Sequence, residues 1–179
     1  ISVSNQKGGV GKTTTTVNLA TAMVSFNKKI LIVDLDPQGN ASTGLGIDLK
    51  ERNKNIYKVM TSQKEVNDCV FDTIIPNLKI IPSTIDLSAV EVEFSSIPKR
   101  ELVLKKSFEN LTIDFDYVLI DCPPSLGLLT VNAMAASDEV IVPLQCEFYA
   151  LEGLSQLLKT MELIKGNLNS KLNLKGIIL

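Results

Sequence analysis

The feature of this chain that most restricts its fold is a glycine-rich loop between an apolar strand and a helix. The strand covers residues 1–4, and residues 6–14 read Gln-Lys-Gly-Gly-Val-Gly-Lys-Thr-Thr. Glycines have no side chain that would keep backbone N–H groups away from a bound anion. The start of the following helix adds a partial positive charge. The loop is therefore predicted to hold the phosphate groups of a nucleotide.

Two residues at the end of this loop carry the predicted chemistry. The Lys12 ammonium is expected to reach the β- and γ-phosphates, and the Thr13 hydroxyl to take a coordination position on Mg²⁺. A glycine-rich turn can also join a strand to a helix without any ligand, but the strand before residues 11–13 and the helix after them favour phosphate binding. The general phosphate-loop pattern has glycine where this chain has Gln6, and Lys7 is an additional lysine.

The loop resembles that of the deviant phosphate-loop ATPases, the family of the ParA/Soj partition proteins, MinD and the nitrogenase iron protein, whose signature is Lys-Gly-Gly-x-Gly-Lys-Thr. The resemblance continues through residues 34–40, 121–127 and 142–147 and is weakest between residues 50 and 110. In this family the additional lysine, here Lys7, reaches across a nucleotide-sandwich dimer to the phosphates of the partner subunit. The resemblance thus implies ATP and Mg²⁺ as ligands and a homodimer when ATP is bound. The nucleotide-binding residues that it implies are Lys7, Gly8, Gly9, Val10, Gly11, Lys12, Thr13 and Thr14.

Apolar strands alternate with amphipathic helices along the chain, which predicts an α/β fold with a mostly parallel twisted sheet flanked by helices on both faces. After residues 1–4, further strands are expected at residues 30–33, 79–81, 117–120, 139–142 and 176–179. Helices are expected at residues 12–26, 86–94, 99–110, 126–136 and 149–164. Residues 50–77 are polar and irregular, and we interpret them as a surface excursion with one short helix near residues 56–60.

The chain has 179 residues and is 45% hydrophobic, which is enough for one sizeable core. We therefore expect a single P-loop ATPase domain over residues 1–179. The start inside a strand without Met, and the end in a strand without a turn after it, suggest that this domain is incomplete at both termini. ParA-like chains usually continue for several more elements.

Carboxylates follow two of the predicted strands. Asp121 fits the Mg²⁺-associated carboxylate of a Walker B motif, and by its match to the family Asp36 is the better candidate for orienting the attacking water. Alternatively, Asp121 could cap the helix after Pro123, and Asp36 could form an Asx turn with the residues that follow it. Asp34 faces the same side as Asp36 if the strand continues that far. The predicted catalytic residues are Lys7, Lys12 and Asp36, and the predicted metal-site residues are Thr13, Asp36 and Asp121.

Composition excludes several classes of protein. Eighteen basic against twenty acidic residues give a formal charge of −2, so the chain as a whole is no polycation that coats DNA or an anionic membrane. Any such binding must be local. The chain has three cysteines and no histidine, so Cys69, Cys122 and Cys146 are interpreted as reduced core thiols of a cytoplasmic protein. No apolar run is long enough to span a membrane.

Within the family, Gln6 and the Pro37–Asn40 segment resemble the chromosome or plasmid partition branch more than MinD. This resemblance implies an ATP-dependent switch with slow hydrolysis, nonspecific DNA binding by the ATP dimer, association with the nucleoid and a ParB-like activator. Glu147 and Phe148 match a family segment near the nucleotide and the dimer face. Three alternatives remain at this point: a MinD-like membrane switch, an electron-transfer protein like the nitrogenase iron protein, and a small-molecule synthetase.

Overall fold

The centre of the molecule is a seven-stranded sheet, seen in a computed structural model that describes residues 1–147 and 150–179. Its strands are β1 (Ser2–Val3), β2 (Ile30–Asp34), β3 (Phe71–Asp72), β4 (Leu78–Ile81), β5 (Tyr117–Asp121), β6 (Glu139–Pro143) and β7 (Asn173–Ile178). They lie in the order β3-β4-β2-β5-β1-β6-β7. All neighbouring pairs are parallel except β3 with β4, so the predicted α/β fold with a mostly parallel sheet is confirmed.

Seven α-helices accompany the sheet within the described residues. They are α1 (Lys12–Val24), α2 (Asn40–Gly44), α3 (Ile56–Met60), α4 (Val90–Glu93), α5 (Val103–Phe108), α6 (Leu128–Ala135) and α7 (Ala150–Asn167). Short 3-10 helices lie at Leu49–Glu51, Val66–Cys69, Ile85–Ala89, Phe94–Ser96 and Arg100–Leu102. The predicted residue 149 at the start of the last helix lies outside the described residues.

Two predicted helices are wrong as continuous elements. The segment predicted at 86–94 is a 3-10 turn followed by the four-residue α4 and a second 3-10 turn. In the segment predicted at 99–110, Lys99 has a φ of 57° and only α5 is α-helical. The Asn132 side chain accepts a hydrogen bond from Leu104 N and donates one to Arg100 O. A side chain that satisfies these backbone groups removes the need for regular helical bonds there.

The sheet is covered on both faces. Successive side chains of its strands point to opposite faces, and apolar side chains are buried on each of them. Leu31 and Val33 belong to one core cluster, whereas Ile30 and Ile32 belong to another that includes residues of α1. A third cluster lies around α7. The interpretation of residues 50–77 as a surface excursion is wrong in part, because the segment buries apolar side chains in the first cluster: Ile56, Val59, Met60, Val66 and Cys69. Its predicted short helix is present as α3.

Cys69 and Cys122 are buried free thiols, as predicted, whereas Cys146 is exposed and is therefore no core residue. No helix in the described part of the chain is both long and apolar enough to cross a bilayer.

Candidate nucleotide-binding site

The site is assembled at the edge of the sheet where the parallel strands end. Strand β1 lies between β5 and β6, and its last residue, Val3, pairs with Asp121. Asp34, the last residue of β2, also pairs with Asp121. The glycine-rich loop follows β1 directly, so the sheet register brings this loop and the carboxylates of β2 and β5 together. Open α/β sheets bind their ligands at this edge.

The loop is fixed by its backbone conformation and by two amide side chains. Gly9 and Gly11 have φ values of 76° and 87°, a region in which residues with a Cβ atom are strained. Asn5 accepts a hydrogen bond from Lys7 N at 3.0 Å and donates one to Pro143 O at 2.7 Å. Gln145 donates from its Nε2 to Gly9 O at 3.1 Å. The end of β6 and the segment after it therefore hold the loop in place.

Lys12, the first residue of α1, lies inside the site. Lys12 is only 7% exposed, and its ammonium donates a hydrogen bond to Lys7 O at 2.9 Å. Burial lowers the pKa of Lys12, while the nearby carboxylates of Asp121 and Asp36 act to raise it. The ammonium thus lies near both predicted metal-site carboxylates, inside the curve of the loop.

Asp121 is fully buried. Its Oδ1 lies 3.2 Å from the Thr16 hydroxyl, and its Oδ2 has no hydrogen-bond partner among the described residues. Burial raises the pKa of Asp121 to about 7; the carboxylates of Asp34 and Asp36 add to this rise, and the hydroxyls of Thr13 and Thr16 oppose it. The alternative role as a helix cap does not hold, because α6 begins only at Leu128.

Asp36 and Asp34 have different surroundings. The Asp36 side chain forms the Asx turn that the sequence left open, because its Oδ1 accepts a hydrogen bond from Gln38 N at 2.9 Å. Only this one oxygen is used in the turn. Asp34 is fully buried, and its Oδ2 accepts hydrogen bonds from Ser42 N at 2.8 Å and Ser42 Oγ at 2.6 Å. Asp34 therefore stabilises the start of α2, whereas Asp36 keeps an oxygen for other partners.

Lys7 points away from this interior. Its ammonium forms an ion pair with the Glu147 carboxylate, and the two side chains are 40% and 53% exposed. The sequence placed Glu147 near the nucleotide, and the structure brings it next to the additional lysine of the loop. Phe148, which shared that prediction, lies outside the described residues.

The donor atoms suit a small, hard cation that shares its coordination with phosphates. Asp121 Oδ2, which is buried without a hydrogen-bond partner in the described part of the chain, and the nearby Thr13 hydroxyl are oxygen ligands of the kind that Mg²⁺ prefers. In residues 1–147 and 150–179, no cluster of three or more His, Cys, Asp or Glu could hold a metal ion. Mg²⁺ that binds with a nucleotide takes only one or two protein carboxylates beside phosphates and water.

Sequence analysis missed three contributors to the site. Thr16 lies one helical turn after Lys12 and contacts Asp121, and this spacing was a usable signal. Gln145 was noted only as part of a family segment, and its contact with Gly9 joins residues far apart in the sequence. Arg52 lies in the segment at residues 50–77 that was interpreted as a surface excursion, and it donates a hydrogen bond to Gly39 O in the turn that follows Asp36.

The chain is similar in sequence to known proteins over nearly its whole length. The family model described as an AAA domain matches residues 1–174. The sporulation initiation inhibitor protein Soj of Bacillus subtilis is 49% identical over 179 residues, which are 100% of this chain and 71% of Soj. The chromosome partitioning protein ParA of Caulobacter vibrioides is 49% identical over 181 residues, covering 100% of this chain and 68% of ParA.

A solved structure gives the same fold. The cobyrinic acid a,c-diamide synthase of Mycobacterium smegmatis, with bound ADP and magnesium, superposes with a TM-score of 0.94 at 39% identity, covering 99% of this chain and 72% of that one. High sequence identity over the whole chain, together with the glycine-rich loop and its carboxylates at one sheet edge, decides the family. The chain belongs to the ParA/Soj family of chromosome-partitioning ATPases.

Proposed function

We propose that this protein is an ATP-dependent dimerising switch of chromosome or plasmid partitioning. It binds ATP with Mg²⁺ in the glycine-rich loop, dimerises in that state, binds DNA without sequence preference and hydrolyses ATP slowly. A ParB-like activator stimulates hydrolysis, and the dimer then separates. The proteins that resemble this chain over its full length, Soj and ParA, support the partitioning role.

One observation carries the proposal: the two lysines of the loop are placed differently. Lys12 is buried beside the carboxylates of its own site, whereas the Lys7 side chain is 40% exposed and turned toward the surface. A lysine that contacted only the nucleotide of its own subunit would be expected to lie inside the site, as Lys12 does. An exposed ammonium next to the phosphate loop can instead compensate negative charge on a triphosphate in a second subunit.

The residues of the site have separate roles in this proposal. The loop N–H groups and the Lys12 ammonium hold the phosphates and stabilise the charge that develops during transfer. Asp36 accepts a hydrogen bond from the attacking water and orients it toward the γ-phosphate. Thr13, Asp121 and Asp36 are the residues that would hold Mg²⁺ or its water ligands, and the bound ion would neutralise phosphate charge.

Loss of the γ-phosphate ends the closed state. The attacking water forms a bond to the γ-phosphorus, the bond to the β-phosphate oxygen breaks, and ADP and inorganic phosphate result. The charge that Lys7 compensated across the interface is then reduced, so the two subunits separate. In this order of steps, the rate of hydrolysis sets how long the ATP-bound dimer persists.

The experiment that tests this function measures ATPase activity with and without nonspecific duplex DNA, and co-sedimentation of the protein with that DNA, at two salt concentrations. We expect co-sedimentation of the protein with DNA only when ATP is present, and a steep loss of DNA binding at the higher salt concentration. DNA binding that is equal with ATP and ADP would contradict the switch. Binding of the ATP form to lipid vesicles and not to DNA would favour the MinD-like alternative.

A small-molecule synthetase is a second candidate, favoured by one observation. A cavity of about 640 Å³ lies beside the loop and is lined by amide side chains including Asn5, Gln6 and Gln145. Its volume suits a small ligand, and the structural neighbour named above is a diamide synthase. ADP formation that depends on cobyrinic acid, and is unaffected by DNA, would support this second function against the first.

A further inference from the structure

Arg52 is a buried cation whose role is not evident from ion pairing. The residue is 5% exposed, and within residues 1–147 and 150–179 no carboxylate forms an ion pair with it. A buried charge without an opposite charge is costly unless all of its donors are hydrogen-bonded. The position of Arg52 therefore requires an explanation in terms of the groups that it binds.

All five donors of the guanidinium are used. Nε and Nη2 donate to Ile47 O at 3.1 and 2.7 Å, and Nη2 also donates to Thr43 Oγ1 at 2.8 Å. Nη1 donates to Gly39 O at 3.3 Å and to Ser83 O at 3.2 Å. These acceptors belong to the turn before α2, to α2 itself, to the loop after it and to the segment after β4. One planar side chain thus binds four separate positions of the chain at once, three of them through backbone carbonyl groups.

The turn that Arg52 holds is the turn that sets the position of Asp36. Gly39 N donates to Asp36 O at 2.9 Å, and Gln38 N donates to the Asp36 carboxylate at 2.9 Å. Because Arg52 fixes the carbonyl of Gly39, it limits movement at the far end of this turn. Asp34 and Ser42 fix the chain on both sides of this turn, because the Ser42 hydroxyl donates a hydrogen bond to the Asp34 carboxylate. The same hydroxyl oxygen accepts a hydrogen bond from Ser83 N at 3.0 Å.

We propose that Arg52 is a positioning residue for ATP hydrolysis, which holds the Asp36 carboxylate in its reactive orientation through the turn at residues 36–39. This inference rests on the proposed function, in which Asp36 orients the attacking water. Arg52 itself forms no hydrogen bond or ion pair with residues 6–14, the loop that is proposed to hold the phosphates. Its loss should therefore slow the chemical step and leave nucleotide binding intact.

The test compares Arg52→Gln and Arg52→Lys with Asp36→Ala and with Lys54→Gln, an exposed neighbour in the same segment, as the control. Two quantities are measured: the affinity for Mg²⁺–ATP and the single-turnover rate of hydrolysis. We expect Arg52→Gln to hydrolyse ATP at least tenfold more slowly with an affinity within threefold of wild type. Arg52→Lys should stay at least fivefold slow, because an ammonium cannot reach the three carbonyls at once. Lys54→Gln should match wild type.

Thermal unfolding shows whether each variant is folded, and Arg52→Lys carries the test if Arg52→Gln is not. A folded Arg52 variant with a wild-type rate overturns the inference, and so does an equal loss of affinity and rate. If the Arg52 variants are normal while Asp36→Ala is slow, only this inference fails. If Asp36→Ala hydrolyses ATP normally, the proposed function fails instead.

Discussion

The ammonium of Lys7 is held by the carboxylate of Glu147 on the same chain. This ion pair joins the glycine-rich loop to the segment after β6, and both side chains are substantially exposed. Lys7 has to leave Glu147 before it can reach phosphates in a second subunit. The ion pair therefore competes with the dimer contact that we propose.

Glu147→Gln removes this competition, and we expect the variant to dimerise with ATP at a lower protein concentration than wild type. An exposed ion pair contributes about 0.2–1 kcal/mol, and a homodimer loses one such pair in each subunit, so the dimerisation constant should shift by up to about thirtyfold. Analytical ultracentrifugation in the presence of a nonhydrolysable ATP analogue measures the dimerisation constant of each protein. A variant that needs more protein than wild type to dimerise would show that Glu147 supports the dimer instead.

Asp36→Ala should bind ATP like wild type but hydrolyse it at least a hundredfold more slowly. In the proposed function the loop and Lys12 hold the phosphates, so ATP binding should not depend on this carboxylate, whereas orientation of the attacking water should. Equilibrium binding and single-turnover hydrolysis separate the two effects. Asp114→Ala, which removes an exposed loop carboxylate, is the control and should change neither. Normal hydrolysis by Asp36→Ala would remove Asp36 from the mechanism.

The raised pKa of Asp121 predicts how stability depends on pH in the ligand-free protein. Its pKa rises from 3.8 to about 7 on folding, so between these values the folded chain binds more protons than the unfolded chain. Stability must then fall as pH rises through this window. The charged groups nearest to this carboxyl are Lys12, Asp34 and Asp36. Asp34, whose pKa is also raised by burial, adds a change of the same sign.

Asp121→Asn cannot ionise and should lose its part of this pH dependence. We expect the free energy of unfolding in urea to fall between pH 4 and pH 8 by about 2–4 kcal/mol more in wild type than in the variant. The comparison is made without nucleotide and Mg²⁺, because bound ligands would stabilise the charged carboxylate. Equal pH dependence in both proteins would mean that Asp121 is charged in the folded chain throughout this range.

Gly39→Ala tests the packing between the Asp36 turn and Arg52. An added Cβ would lie 2.4 Å from Arg52 Nη1 and 3.1 Å from Ser83 O, and Gly39 has a φ of 65°. We expect a loss of stability of about 1–3 kcal/mol, measured by denaturant unfolding. The matched control is Gly46→Ala, because Gly46 also has a positive φ, of 79°, but nothing lies within 4 Å of the added atom. A Gly39 variant as stable as the Gly46 variant would contradict the close contact.

Local sequence patterns were sufficient to predict the centre of the fold and the phosphate loop. The strands that carry Asp34 and Asp121 are continuous apolar runs, and such runs are typical of strands buried on both faces. The loop combines glycines, a lysine and the start of a helix within a few residues. Because parallel strands end at one edge, placing Lys12, Asp36 and Asp121 together required no knowledge of distant contacts.

What sequence analysis missed depends on contacts between distant residues. Strand β3 has only two residues, and its pairing with β4 is what makes it a strand. The break at residues 99–102 reflects two hydrogen bonds of the Asn132 side chain, one accepted from Leu104 N and one donated to Arg100 O, which no local pattern indicates. Arg52 lies in the segment that was interpreted as a polar surface excursion, but its acceptors include carbonyl groups brought together by folding. Backbone carbonyls leave no signature in a sequence, so this role could be found only in the structure.

The most direct test of the central claim is the mass in solution of wild type and Lys7→Ala with bound nucleotide, measured by light scattering. With Mg²⁺ and a nonhydrolysable ATP analogue, wild type should double its mass, and with ADP it should not. Lys7→Ala should bind the same analogue and keep the mass of one chain. A Lys7→Ala protein that doubles its mass like wild type, or a wild type that stays a monomer with the analogue bound, would contradict the account.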